Sequence, residues 1–133
     1  MNKLEHIGIA VKNLEQANLK FSKLLGSPPY KIEEVAAEGV RVSFFKVDNL
    51  KIELLEATNP DSPIAKFIDK RGEGIHHLAF ATSNIEKKCN ELIKEGFSFI
   101  TPEAKVGADN KKINFLHPKT TNGVLVELCQ ENI

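Results

Sequence analysis

The chain repeats itself, and that constrains its fold more than any other feature. "HIGIAVKNLEQANLKFSKLLG" begins at His6 and "HLAFATSNIEKKCNELIKEG" begins at His77. Each copy opens on a histidine and a short apolar run. Each then reaches an Asn, a branched apolar residue and a Glu: Asn13, Leu14 and Glu15 in one copy, Asn84, Ile85 and Glu86 in the other. Each closes near a glycine, Gly26 or Gly96. Self-similarity on this scale marks a supersecondary unit that cannot bury its apolar face alone, so the copies are expected to share a core.

The periodicity fills in the unit. The opening runs have strand length. Leu14, Ala17, Phe21, Leu24 and Leu25 fall at helical spacing, as do Ile85, Cys89, Leu92 and Ile93. Asn13, with Gln16 three residues on, suits the start of the first helix; Ser83 and Glu86 form a capping-box pattern at the second. Gly26 and Gly96 suit the C-terminal ends. Strand-like segments follow at 30–37, 39–48 and 50–57, and again at 97–101, 111–118 and 123–130, with the turn cluster "GADN" at 107–110. Each half therefore reads as strand, helix, then three strands, an α+β pattern. Residues 1–58 form the first module and 74–133 the second, within a single domain. The linker, 59–73, predicts a short helix with Ser62 as N-cap and Pro63 in its first position.

Bulk composition narrows the function. Eighteen basic and 18 acidic side chains cancel, which gives no pull toward nucleic acid or an anionic membrane. No run approaches the roughly 18 apolar residues of a membrane span, and the N-terminal apolar run is too short for a signal peptide. Cys89 and Cys129 lie in apolar-periodic segments and read as reduced core residues. The expected location is the cytoplasm.

Candidate chemistry also comes in duplicate. "NLKIELLEA" carries Glu53 and "GVLVELCQE" carries Glu127, each a carboxylate inside an apolar strand. Glu53 follows His6 by 47 residues and Glu127 follows His77 by 50. Strand alternation puts His6, Gly8 and Ala10 on one face, and His77, Ala79 and Ala81 on the equivalent face. Ile7, Ile9, Leu78 and Phe80 then pack under the helices, together with Ile52, Leu54, Val126 and Leu128. The histidine faces carry small residues and leave room for a cavity. Two His and two Glu would converge if the halves pair about a pseudo-twofold axis. Imidazole with carboxylate suits a divalent transition metal at a catalytic site, whereas a structural zinc site would favour thiolates. Burying two uncompensated carboxylates is costly, and a metal would neutralise them. His76 belongs to the opposite face, near a helix or the rim.

These residues resemble the vicinal oxygen chelate superfamily, which includes glyoxalase I, extradiol dioxygenases and fosfomycin resistance proteins. Within it the chain is most similar to the methylmalonyl-CoA epimerase family. The stretches that carry the likeness are "HIGIAVKNLEQA", "KIELLEATNPDSPIAKFIDKRGEGIHHLAF" and "INFLHPKTTNGVLVEL". The resemblance implies two tandem βαβββ modules forming an open, cupped mixed sheet around one metal. It implies His6, Glu53, His77 and Glu127 as ligands, with Co²⁺ first and Zn²⁺, Mn²⁺ or Ni²⁺ as other choices. It further implies interconversion of (R)- and (S)-methylmalonyl-CoA, a small acyl-CoA substrate, and a homodimer. Glu127 would be one proton-transfer base. The second is open, because Val42 stands where some members have Glu; Glu53 or a metal-bound water are the candidates. Lys112, His117 and Lys119 are candidate substrate contacts near the cavity mouth, whereas Lys111 fits a solvated turn equally well. The rival readings are glyoxalase I on the same scaffold and a metal-free binding module.

Overall fold

The computed structural model describes Lys3–Glu131. Two compact units divide the chain: His6–His76 is one, and the other joins the residues up to Glu5 to the chain from His77 onward. In chain order the elements are β1 (Lys3–Ala10), α1 (Leu14–Leu25), β2 (Lys31–Val35), β3 (Val40–Val47), β4 (Leu50–Ala57) and α2 (Pro63–Arg71). After these come β5 (Gly74–Ala81), α3 (Ile85–Lys94), β6 (Lys105–Val106), β7 (Lys111–Leu116) and β8 (Val126–Glu131). The expected α+β pattern of strand, helix and three strands is thus present twice.

The halves also share their topology. Strand order is β2-β3-β4-β1 in the first and β6-β7-β8-β5 in the second. The outer pairings are antiparallel in both. The strand that opens each half pairs in parallel with the strand that closes it, β1 with β4 and β5 with β8. A parallel pair needs a long crossover connection, and each half supplies one that includes a helix.

Helix ends follow from local chemistry. Asn13 Oδ1 accepts the Gln16 N–H at 3.0 Å, and Gly26 ends α1 in the left-handed region at φ 84°. The start of α3 differs from expectation. Asn84, not Ser83, is the N-cap, its Oδ1 accepting the Lys87 N–H at 3.1 Å. Its backbone is extended like that of Asn13, so the same amide oxygen reaches the same amide three residues on. Ser62 caps α2 by accepting the Ile64 N–H, with Pro63 in the first turn, as the sequence implies.

Each helix covers one face of its own strands. Leu14, Ala17, Phe21 and Leu25 of α1 pack with Ile9, Phe45, Ile52 and Leu54. Ile85, Cys89 and Leu92 of α3 pack with Phe80, Leu116, Val126 and Leu128. These are the faces that alternation assigned to the helices. One strand expectation fails. Residues 97–101 form no continuous strand and keep a single bridge, Phe99 to Leu116. Pro102 follows at once and lacks an N–H for the ladder. Thr101 turns its hydroxyl to the Glu103 carbonyl and to Asn114 Oδ1. The short strand Lys105–Val106 pairs with β7 instead.

Candidate metal centre

Ladder register places each candidate glutamate in the same setting. Glu53 on β4 stands between Gly8 of β1 and Phe44 of β3. Glu127 on β8 stands between Ala79 of β5 and Phe115 of β7. Residues paired across a ladder share a sheet face, so each carboxylate has a small residue on one side and an aromatic wall on the other. The small residues are the ones that alternation left open in the sequence.

Within the first half, His6 Nδ1 lies 3.3 Å from Glu53 Oε2. In the second, His77 Nε2 lies 3.2 Å from Glu127 Oε1. His6, Glu53, His77 and Glu127 are only 4%, 4%, 5% and 5% exposed, so neither pair is a solvated surface contact. The His77 ring also meets Phe115 edge-on, with centroids 5.7 Å apart. Burying a carboxylate costs several kcal/mol unless a partner compensates it. Each half offers one imidazole per carboxylate on the face not covered by its helix. His6 and Glu53 also fall in a group whose ligating atoms lie close enough together to hold one metal ion. Oxygen and imidazole donors without thiolates fit a divalent ion of intermediate softness.

His76 has the structural role assigned to it. Its ring packs edge-on against Phe67 of α2, centroids 4.9 Å apart. The strand start "HH" therefore splits, one ring toward α2 and one toward a glutamate.

The candidate substrate contacts separate. Glu127 pairs with Phe115, so Phe115, Ile113 and Lys111 share its face and Lys112 takes the other. Lys112 Nζ lies 3.2 Å from Glu86 on α3, on the helix side. Lys111, for which the sequence supports a solvated turn and a substrate contact equally, is only 8% exposed and lies on the Glu127 face. His117 caps the turn Pro118–Thr120, its Nδ1 accepting the Lys119 N–H at 3.2 Å. That bond leaves Nε2 as the donor of a neutral ring. Lys119 is exposed on this turn. Val42 is fully buried on the Glu53 face, opposite Leu55, and brings no carboxylate there.

Sequence reasoning missed a second duplicated pair. Glu56 Oε2 accepts the Leu14 N–H that opens α1, at 3.0 Å. Gln130 Oε1 accepts the Ile85 N–H that opens α3, at 2.6 Å. Each acceptor is the third residue after the site glutamate, so it lies on the opposite, helix-facing side of the same strand. One strand thus holds a site carboxylate on one face and a helix N-terminus on the other. The signal was a polar residue at equal offset in both copies, Glu56 after Glu53 and Gln130 after Glu127.

Comparison with known proteins places this arrangement. The ethylmalonyl-CoA/methylmalonyl-CoA epimerase of Cereibacter sphaeroides is 38% identical over 132 residues, covering 98% of each chain. The crystal structure of methylmalonyl-CoA epimerase from Mycobacterium tuberculosis superposes with a TM-score of 0.93 at 36% identity, covering 98% of this chain and 88% of that one. A methylmalonyl-CoA epimerase solved with methylmalonyl-CoA and NH4+ gives a TM-score of 0.93 at 31% identity, covering 97% of this chain and 94% of that one. The family model for the glyoxalase/bleomycin resistance protein/dioxygenase superfamily matches residues 5–115, and the chain belongs to that superfamily.

Proposed function

We propose that this protein is a methylmalonyl-CoA epimerase, interconverting the (R) and (S) forms of its acyl-CoA substrate. The observation that carries the reading is the duplicated buried His–Glu pair in a chain that is similar over its whole length to epimerases. Glyoxalase I uses a similar donor set, but whole-chain similarity to epimerases favours the first reading over it and over a metal-free binding module.

His6, Glu53, His77 and Glu127 hold one divalent ion in this reading. Cobalt is the first candidate and zinc, manganese or nickel the others. The ion would supply Lewis-acid stabilisation of the negative charge that grows on the thioester oxygen when the α-proton leaves. The chain's own residues move the proton. Glu127 takes it from the carbon between thioester and carboxylate and becomes a carboxylic acid. Glu53, in the other half, starts as the carboxylic acid, loosened from the ion, gives its own proton to the opposite face of the carbon and becomes the carboxylate; the protonation states and roles reverse for the other enantiomer. Val42 leaves no other glutamate at its position, which supports Glu53 in that part. The walls of Phe44 and Phe115 beside the two carboxylates keep solvent from competing for the carbanion. His117 and Lys119 contact the substrate's polar end, whereas Lys112, turned to α3, has no part in this reading.

Among the described residues no helix is long and apolar enough to cross a membrane; the reading places the enzyme in the cytoplasm as a homodimer. The test is NMR of methylmalonyl-CoA in deuterium oxide. Metal-dependent loss of the α-proton signal from both enantiomers supports the epimerase. No exchange, with turnover of the methylglyoxal–glutathione adduct instead, would overturn it.

A further inference from the structure

The two halves differ in kind at one end of the ladder that carries each glutamate. In the first half Val40 stands across from Ala57, four residues before Phe44 and four after Glu53 respectively. In the second Lys111 stands across from Glu131, four residues before Phe115 and four after Glu127. An apolar pair in one copy is a charged pair in the other. The fold itself therefore does not call for the lysine.

Lys111 is nevertheless a buried cation. Its side chain is 10% exposed, against 73% for that of Glu131. The two charged groups approach only to 3.8 Å, beyond the roughly 2.7–2.9 Å of a charge-assisted hydrogen bond. A buried ammonium gives up its hydration and needs close pairing to offset the loss. Glu131 supplies a loose charge contact from a side chain that solvent largely surrounds.

Lys111 also borders a cavity of about 380 Å³, within the range of small-molecule pockets. Lys3, Thr82 and Ser83 border it too, with Glu5 and Glu131 as its carboxylates. Glu5 is buried and holds interactions of its own. Two ammonium groups thus face two carboxylates. A ligand carboxylate exchanged for that of Glu131 keeps the balance, whereas a doubly charged phosphate adds repulsion from Glu5. Glu131 lies four residues past Glu127, about 13 Å along β8 at the rise of a strand, which sets Lys111 apart from the His77–Glu127 pair.

We propose that Lys111 is the counter-ion of a binding site for a small monocarboxylate, which takes the place of Glu131 beside the ammonium. Thr82 and Ser83 give the cavity wall hydroxyls for the ligand's polar groups. The site stands whether or not the chain is an epimerase.

Heteronuclear NMR titration of the labelled protein with acetate tests it, at constant ionic strength because salt screens such contacts. Amide signals of Lys111, Thr82, Ser83 and Glu131 should move together and saturate with acetate, but not with chloride. Lys111→Met should weaken binding about tenfold or more, the scale of one lost bond to a charged group. Glu131→Gln, at an exposed position, removes the competing carboxylate and should tighten binding several-fold. A lysine with only a packing role predicts no such gain, and this variant carries the test if Lys111→Met fails to fold. No saturable shift in the wild type, undiminished binding by folded Lys111→Met, or equal or weaker binding by Glu131→Gln would overturn the site. Inorganic phosphate binding more tightly than acetate would overturn its assignment to a monocarboxylate.

Discussion

In the first half Glu53 sits between Gly8 and Phe44, with His6 Nδ1 3.3 Å away. In the second Glu127 sits between Ala79 and Phe115, with His77 Nε2 3.2 Å away. The framework around the two carboxylates is the same; what surrounds it is not. Along the Glu53 face the first half carries Lys46 and Lys51, where the second carries His117 and Leu125. At the position of Val40 the second half buries Lys111. At the helix start the first half uses a carboxylate, Glu56, and the second an amide, Gln130. Duplication thus preserves the strand positions that hold the proposed ligands, and the positions around them have diverged.

The strongest way to break this comparison is to remove a base from one half only. Glu127→Gln and Glu53→Gln should each lower epimerisation by about 10²–10⁴-fold, the usual range for a positioned proton-transfer group. The measurement that separates them is α-proton exchange from each enantiomer. Each variant should lose exchange from one enantiomer far more than from the other, and the two should differ in which. Near-normal epimerisation by Glu53→Gln with metal retained would remove Glu53 from the proton path and make the halves chemically unequal.

The helix caps sharpen the comparison at the level of folding. Glu56→Ala and Gln130→Ala each remove an acceptor from the first helical N–H, at a cost of about 0.5–2 kcal/mol. Glu56 should matter more. Its charge faces a helix N-terminus, and its other oxygen lies 3.4 Å from Arg41. Urea denaturation of the two variants checks the order; an equal loss would mean that the charge adds nothing to the bond.

A smaller contrast lies on the buried sides of the helices. Asn18 in α1 and Cys89 in α3 occupy equivalent positions, four residues after Leu14 and Ile85. Asn18 Oδ1 is buried without a hydrogen-bond partner, a state that costs about 1–3 kcal/mol. Asn18→Cys should therefore raise the thermal midpoint by a few degrees, and a fall would show that the amide has a role the contacts do not reveal. Burial, and secondarily the nearby Glu86, push the Cys89 thiol above its usual range, while Asn114 opposes them. The reactive thiolate is accordingly scarce at neutral pH. Alkylation of Cys89 should be slow there, rise on going above pH 9, and become somewhat faster in Glu86→Gln. A rate at pH 7 matching an unfolded control would contradict this.

Much of the architecture was legible because it was written twice. His6, His77, Glu53 and Glu127 stood out through equal placement in the repeat, and alternation alone assigned their faces. The Asn84 cap was misplaced by one residue because Ser83 offered a competing pattern; only backbone geometry decides between neighbouring polar residues. Strand 97–101 fails since Pro102 and the Thr101 hydroxyl divert the chain. The faces of Lys111 and Lys112 could not be assigned in the sequence, because a lysine pair after a turn carries no phase of its own. The pairing of Phe115 with Glu127 supplies that phase. Glu56 and Gln130 were missed because each acts on an element distant in sequence.

In the proposed reading His6, Glu53, His77 and Glu127 hold one ion, and metal content tests that directly. Elemental analysis of the purified wild type should give one divalent ion per chain. His6→Ala and His77→Ala, each altering a single half, should both lose the bound ion while remaining folded. Two ions per chain in the wild type, or full retention in either variant, would contradict a site that needs both halves.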